Sequence, residues 1–199
     1  ISYALVAFLS ISIGFIFYYA GRKDKDTIGI YEQLFLIFLI YFLISVFFLI
    51  PFYLSSYNVS FIDSYFESVS GLTGTGFTTF NSIKNLDPPL ILWRSSSQWL
   101  GGFYFLIFLV LIFTNKKINF KMIDLSFNLE NKISFSSNLL TVTNRIFLIY
   151  FSLTGLIFSF FLISGIRIFD SLNLTMTIIS SGGFIPHDSL NDIIRSNFQ

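Results

Sequence analysis

Residues Glu67–Phe80 read ESVSGLTGTGFTTF and carry three glycines and four threonines in a chain dominated by long apolar runs. The stretch lies between two of those runs, Ile30 to Leu54 and Leu90 to Phe113. It is too polar for a lipid-facing helix and too short to form a domain. Whatever places such a segment between two hydrophobic spans decides the fold.

Composition sets the solvent. Of 199 residues, 54% are hydrophobic and 12% charged, and mean hydropathy is +0.74. Soluble domains carry about 25% charged residues, so an integral membrane protein is expected, with the lipid bilayer as its first partner. The formal net charge of +1, with no basic cluster interleaved with aromatics, gives no sign of a nucleic-acid partner. The absence of cysteine removes disulfides, thiolate metal sites and cysteine nucleophiles together. The chain opens on Ile1 and stops at NDIIRSNFQ, just past an expected loop, so a fragment at both ends is expected. The opening run ISYALVAFLSISIGFIFYYA has no basic residue before it and GRKDKD after it. That is a stop-transfer pattern, which predicts a membrane helix rather than a signal peptide.

A ~30 Å hydrocarbon core takes about 20 helical residues to cross. The candidate spans are Ile1 to Ala20, Ile30 to Leu54, Leu90 to Phe113 and Ile146 to Ile166, the third interrupted early by WRSSSQW. Basic residues separate the connections. Arg22, Lys23 and Lys25 follow the first span, and Lys116, Lys117, Lys121, Lys132 and Arg145 lie between the third and fourth. Elsewhere there are only Lys84, Arg94, Arg167 and Arg195. The positive-inside rule puts the first group in the cytoplasm, so Glu67–Phe80 is expected on the outer side.

Within that outer connection FIDSYFESVSGL predicts a short helix from Ser64 to about Leu72, with Asp63 as its N-cap. Such a helix is about 14 Å long, half a bilayer. It is expected to enter and turn back, since non-helical backbone at that depth needs protein or a watery cavity around it. An internal repeat reinforces this expectation. FIDS at Phe61 pairs with IFDS ending at Ser171, and TGTGF pairs with SSGGF. Asp63 and Asp170 are 107 residues apart, as are Gly76 and Gly183, and Phe77 and Phe184. The predicted fold is an all-α membrane protein of repeated transmembrane helix–re-entrant pore helix and filter–transmembrane helix units. Its divisions are residues 1–29, a preceding helix and cytoplasmic loop; 30–113, the first unit; 114–144, a cytoplasmic linker; and 145–199, an incomplete second unit.

The C-terminal end of a half-helix carries roughly −0.5 charge and, aimed at the membrane centre, favours a cation. The segments that follow are Gly74, Thr75, Gly76 and Phe77 in the first unit and Ser181, Gly182, Gly183 and Phe184 in the second. Their backbone carbonyls can replace the water of a cation, and glycine adopts the dihedrals that align successive carbonyls at little cost. Thr75 and Ser181 could add hydroxyl oxygens at the inner end, with Thr73 and Ser180 in support. Glu67 is an intramembrane carboxylate and so a candidate site residue. We expect a structural role for it, held by Arg94 or by filter N–H groups; the plainer alternative is an exposed Glu near the interface. Arg94 has an alternative too, snorkelling to headgroups beside Trp93 and Trp99. Ser95 to Gln98 are expected to face protein, Gly101 and Gly102 to allow close packing, and His187 to be solvated.

The residues YFESVSGLTGTGF, WRSSSQWLGG and FDS…TIISSGGF resemble the Trk/Ktr/HKT superfamily of potassium uptake proteins, most of all the bacterial TrkH/KtrB membrane subunits. The resemblance covers nearly the whole chain. It implies a potassium-channel-like fold of four fused units around one pore, of which this chain holds one and most of another. It implies one key filter glycine per unit, here Gly76 and Gly183, with potassium as the transported ion and no cofactor. It also implies a multi-pass protein of the bacterial inner membrane, a homodimer, and a cytoplasmic nucleotide-binding regulatory subunit of the TrkA/KtrA type. The basic segment Asn115 to Arg145 is a candidate contact for that subunit, or for anionic lipid. Gly74 departs from the family, which often has threonine there, and puts a hydroxyl ligand at that layer in doubt. No enzymatic activity is expected. Two alternatives remain: a small channel assembled from several chains, and a membrane-embedded serine protease using SVSG at Ser68 to Gly71 with His187 as base. The protease leaves the repeat unexplained.

Overall fold

The computed structural model describes residues 2–22, 30–114 and 135–197, and over these it contains helix and no strand. The helices are α1 (Ser2–Gly21), α2 (Ile30–Tyr53), α3 (Phe61–Leu72), α4 (Pro88–Thr114), α5 (Phe135–Ile163), α6 (Ile168–Ile179) and α7 (Leu190–Asn197). Over the described residues, Ser2–Gly21, Phe35–Tyr53 and Thr141–Ile163 are long and apolar enough to cross a membrane. The expected span in α4 has the length, at 27 residues, but is not among those three. Arg94 to Gln98 put a polar run in the first half of that helix. Most of the basic segment Asn115 to Arg145 lies outside the described residues, as do Lys23 and Lys25.

Burial is inverted relative to a water-soluble domain. Phe8, Phe38 and Ile163 are 72%, 71% and 87% exposed, whereas Glu67, Arg94, Gln98, Asn173 and Thr175 are buried. In lipid this is the favourable arrangement, because apolar side chains meet apolar solvent while polar groups must find partners inside the protein. A smaller apolar cluster of Phe52, Ile83, Leu86, Leu90 and Ile91, with Tyr57, Phe80, Trp93 and Phe169 around it, closes the loop end of the bundle.

Each short helix is wedged between long ones, α3 between α2 and α4, and α6 between α4 and α5. Helix α4 therefore serves both units. A Cβ added at Gly101 would collide with the backbone of Leu72, the last residue of α3, and one at Gly102 would lie 2.8 Å from the Cβ of Ser180, just past α6. These adjacent glycines thus let the C-terminal ends of both half-helices press against the same turn of α4. The lateral fit is held by aromatic side chains: the Trp93 indole stacks on Phe48 at 4.6 Å and donates to the Phe48 carbonyl. The Trp99 indole donates to Thr154 of α5.

Local starts and stops differ from expectation in three places. The N-cap of α3 is Ser60, so the helix begins at Phe61 rather than Ser64. Ser60 Oγ accepts from the Asp63 N–H and its hydroxyl donates to the Asp63 carboxylate at 2.7 Å. Asp63 thus sits as the third helical residue, its N–H capped by Ser60, and the helix spans about 18 Å. Helix α5 begins at Phe135, inside the stretch expected to be linker, because hydropathy marks only the apolar part of a helix. The segment after His187 ends in a further helix, α7, opened by Ser189 Oγ accepting from the Asp192 N–H. It shares the serine-x-x-aspartate signal that opens α3.

Candidate functional site

Two loops follow α3 and α6, and four pairs of their hydrogen bonds correspond at the spacing of the repeat. The Thr75 N–H donates to the Ser70 carbonyl at 3.0 Å, and the Gly182 N–H donates to that of Thr177 at 2.8 Å. The Gly74 N–H reaches the Gly71 carbonyl and the Ser181 N–H the Ile178 carbonyl, each at 3.0 Å. The Thr73 hydroxyl donates to the Val69 carbonyl and the Ser180 hydroxyl to the Met176 carbonyl, both ending their helices. Finally the Ser70 hydroxyl donates to the Phe77 carbonyl at 2.6 Å, and the Thr177 hydroxyl to the Phe184 carbonyl at 2.7 Å.

Backbone conformation agrees at the first position of the loops and differs at the second, where Gly76 has a positive φ and Gly183 does not. Gly74 and Gly76 have φ of 68° and 76°, and Ser181, in the place of Gly74, has φ of 56°. The left-handed region is open to glycine and costs other residues roughly 1–2 kcal/mol, so Ser181 is held there by its surroundings. The two loops meet at their glycines. A Cβ on Gly76 would fall on the backbone of Gly183, and one on Gly183 would lie 3.2 Å from the Gly76 Cα. Here the structure brings the two expected filter glycines into direct backbone contact.

Behind the loops the scaffolds are unlike. Glu67 and Arg94 form a buried ion pair, Nε to Oε1 at 2.7 Å. The carboxylate also accepts from the Thr79 N–H at 3.0 Å and from the Thr78 hydroxyl at 3.0 Å. Glu67 thus ties the end of its own loop to α4, meeting Arg94 as expected and, in place of a filter N–H, that of Thr79 just beyond the expected filter. The snorkelling alternative for Arg94 is excluded by its 1% exposure. Its guanidinium carbon lies 4.1 Å from the centroid of the Phe184 ring, so it also touches the second loop through a cation–π contact. In the second unit Leu174 takes the place of Glu67. There the support comes from Gln98, whose Oε1 accepts from the Phe184 N–H at 3.3 Å and whose side chain fills the space a Cβ on Gly182 would need.

The loop exits are joined as well. Asp188 accepts from the Ile83 N–H at 2.5 Å, the Ser82 hydroxyl at 2.9 Å and the Lys84 N–H at 3.3 Å. The Ile83 N–H, then the Ser82 hydroxyl, hold the Asp188 carboxyl below its usual 3.8. His187 is not simply solvated: its Nε2 lies 3.0 Å from Asp170 Oδ1, while Arg167 Nε sits 3.2 Å from Oδ2. Sequence reasoning missed Gln98, Asp188 and the His187–Asp170 pair because each contact joins residues from different elements. The protease alternative finds no geometry here, since Ser68 donates to the Ser45 carbonyl, Ser70 to Phe77, and His187 engages Asp170.

Two half-helices whose C-terminal ends meet one turn of α4, each followed by a glycine loop that touches the other, define a repeat-built membrane protein of the helix–re-entrant loop–helix class. No protein-family profile matches the chain, but individual relatives do. An uncharacterized cation transporter of Methanocaldococcus jannaschii is 33% identical over 135 residues, 67% of this chain and 28% of the relative. The Trk system potassium uptake protein TrkI of Halomonas elongata is 30% identical over 150 residues, 73% of this chain and 30% of that protein. The Trk system potassium uptake protein TrkH of Escherichia coli is 27% identical over 187 residues, 92% of this chain and 38% of that protein. The chain belongs to the Trk family. It spans between 28% and 38% of the length of these relatives.

Proposed function

We propose that this chain forms part of a potassium uptake protein, in which Gly74 to Phe77 and Ser181 to Phe184 are two strands of a filter that strips water from the ion. The observation that carries this reading is the contact of Gly76 with Gly183. It lies beside two half-helix C-termini gathered at Gly101 and Gly102. Two such ends, each with roughly −0.5 charge, repel one another unless a cation sits between them and the filter. A pair of strands supplies only part of a coordinating ring, so further strands from the same polypeptide complete it. Thr73 and Ser180 support the strands by ending the half-helices, and Glu67 and Arg94 hold the first strand from behind. The names of the relatives point to potassium rather than to cations in general. The protein works as a transporter without enzymatic activity or a cofactor, and a chain of this kind needs no serine nucleophile.

The assembly follows the family pattern: a multi-pass protein of the bacterial inner membrane, a homodimer, and a cytoplasmic nucleotide-binding subunit of the TrkA/KtrA type. Residues 1–29, 30–113, 114–144 and 145–199 then serve as leading helix, first unit, cytoplasmic linker and part of the second unit. Rubidium uptake by the protein as the cell makes it, in a strain lacking potassium uptake, tests the transport reading. Gly76→Ser is expected to abolish that uptake or to admit sodium. Wild-type rubidium selectivity in Gly76→Ser would remove the filter assignment.

A further inference from the structure

The strongest feature outside the proposed ion-facing residues is a pair of hydroxyls. Ser70 and Thr177 occupy the same place in the two copies, in the last turns of α3 and α6, and both are 4% exposed. Each residue grips its loop twice. The Ser70 carbonyl accepts from the Thr75 N–H at 3.0 Å and from the Gly76 N–H at 3.3 Å, while its hydroxyl donates to the Phe77 carbonyl. The Thr177 carbonyl accepts from the Gly182 N–H, and its hydroxyl donates to the Phe184 carbonyl. A carbonyl that accepts from its own half-helix is turned toward that helix, away from the neighbouring strand. The geometry recurs in two copies with different side chains, serine in one and threonine in the other, and what they share is the hydroxyl.

We infer that Ser70 and Thr177 are positioning residues that set the outer limit of the filter. By holding the Phe77 and Phe184 carbonyls back, they leave Gly74 to Gly76 and Ser181 to Gly183 as the ion-facing segments. This inference rests on the transport reading and narrows it: Phe77 and Phe184 contribute side chains and a fixed backbone turn, not ion ligands. Without the hydroxyl, the carbonyl of residue 77 or 184 loses its tether and is free to swing toward the strand axis. Discrimination between ions by a fixed arrangement of oxygens then falls, because the outermost layer adapts to whichever cation enters.

The test uses Ser70→Ala and Thr177→Val, which delete the hydroxyl with little change of volume, beside Ser70→Thr and Thr177→Ser, which keep it. In cells, the ratio of rubidium to sodium uptake is expected to fall roughly three- to tenfold in each deletion variant, the scale of one hydrogen bond. The hydroxyl-keeping variants should hold the wild-type ratio. A second measurement covers variants that reach the membrane poorly: thermal unfolding of the purified protein in potassium against sodium. The deletion variants should lose the difference between the two salts, whereas a merely structural role would lower both melting temperatures equally. An unchanged uptake ratio, or an unchanged salt difference, overturns the inference and leaves the transport reading intact. A wild-type protein that neither carries rubidium nor gains stability from potassium would overturn both, and that result is visible before any substitution is made.

Discussion

The two loops after α3 and α6 trace one path but are braced by different chemistry. Most of their internal hydrogen bonds match, from the helix-ending hydroxyls of Thr73 and Ser180 to those of Ser70 and Thr177. Their outer braces differ in chemistry, though Arg94 touches both loops. The first is locked by a buried ion pair between Glu67 and Arg94, the second by a neutral amide, Gln98. The first exits to a Thr78–Thr79 turn held by Glu67, the second to a His187–Asp170 pair. The difference teaches that the path is a local property of half-helix and loop, while the brace is set by whatever α4 presents. Arg94, Gln98 and Gly101 fall at helical spacing on that helix, so one stripe of α4 serves both copies.

Exchanging the braces is the sharpest way to break this comparison. Glu67→Leu installs the residue of the second copy and leaves Arg94 buried without its carboxylate, which should cost about 3–5 kcal/mol. Adding Arg94→Met should recover much of that loss, as read from thermal unfolding of the purified protein. If Glu67→Leu alone is neutral, the ion pair is not what holds the first loop.

Next in size are the paired glycines. Gly76→Ala meets both a left-handed φ of 76° and the Gly183 backbone, so it should lose at least the roughly 1–2 kcal/mol of the conformational term, and ion uptake with it. Gly183→Ala lacks the positive φ and places its Cβ 3.2 Å from the Gly76 Cα, so its effect on uptake and melting should be clearly smaller. Equal effects would mean the two copies are interchangeable at this position.

Ser181→Gly is a gain. It removes a side chain from φ of 56°, and the relief exceeds the extra entropy glycine loses on folding, so stability should rise by about 0.5–1 kcal/mol. Gly74→Ser, the reverse exchange in the first copy, should lower stability by a similar amount.

The smallest effect concerns pH. Hydrogen bonds from Ile83 and Ser82 lower the Asp188 carboxyl, so its contribution is present above the unfolded carboxylate value near 4 and is lost as pH falls through the lower folded value. Acid unfolding should therefore be shallower in Asp188→Asn than in wild type below about pH 4. The carboxylate is exposed, so the change is slight, and parallel acid curves would show that the exit loops are joined by other contacts.

Much of the molecule was legible in the chain. Apolar runs and the spacing of Asp63, Asp170, Gly76 and Gly183 define the repeat, because covalent spacing survives folding. Glu67 and Arg94 stood out because charge is rare in an apolar span. The true cap of α3 was also written there, in Ser60, though hidden by the more conspicuous Asp63. What could not be read was partner choice across elements: Gln98 with Phe184, Asp188 with Ser82 and Ile83, His187 with Asp170. Those pairs depend on how α4 and the loop exits lie beside each other, and neutral or surface polar residues announce no partner.

The sequence by itself determined the solvent, the half-helices and the two glycine loops, since hydropathy, capping residues and the 107-residue repeat act over short stretches of chain. Only the tertiary structure decided that the loops touch at Gly76 and Gly183 and that one stripe of α4 braces both. Long-range contact is a matter of packing, and packing is settled by shape between segments that no local pattern connects.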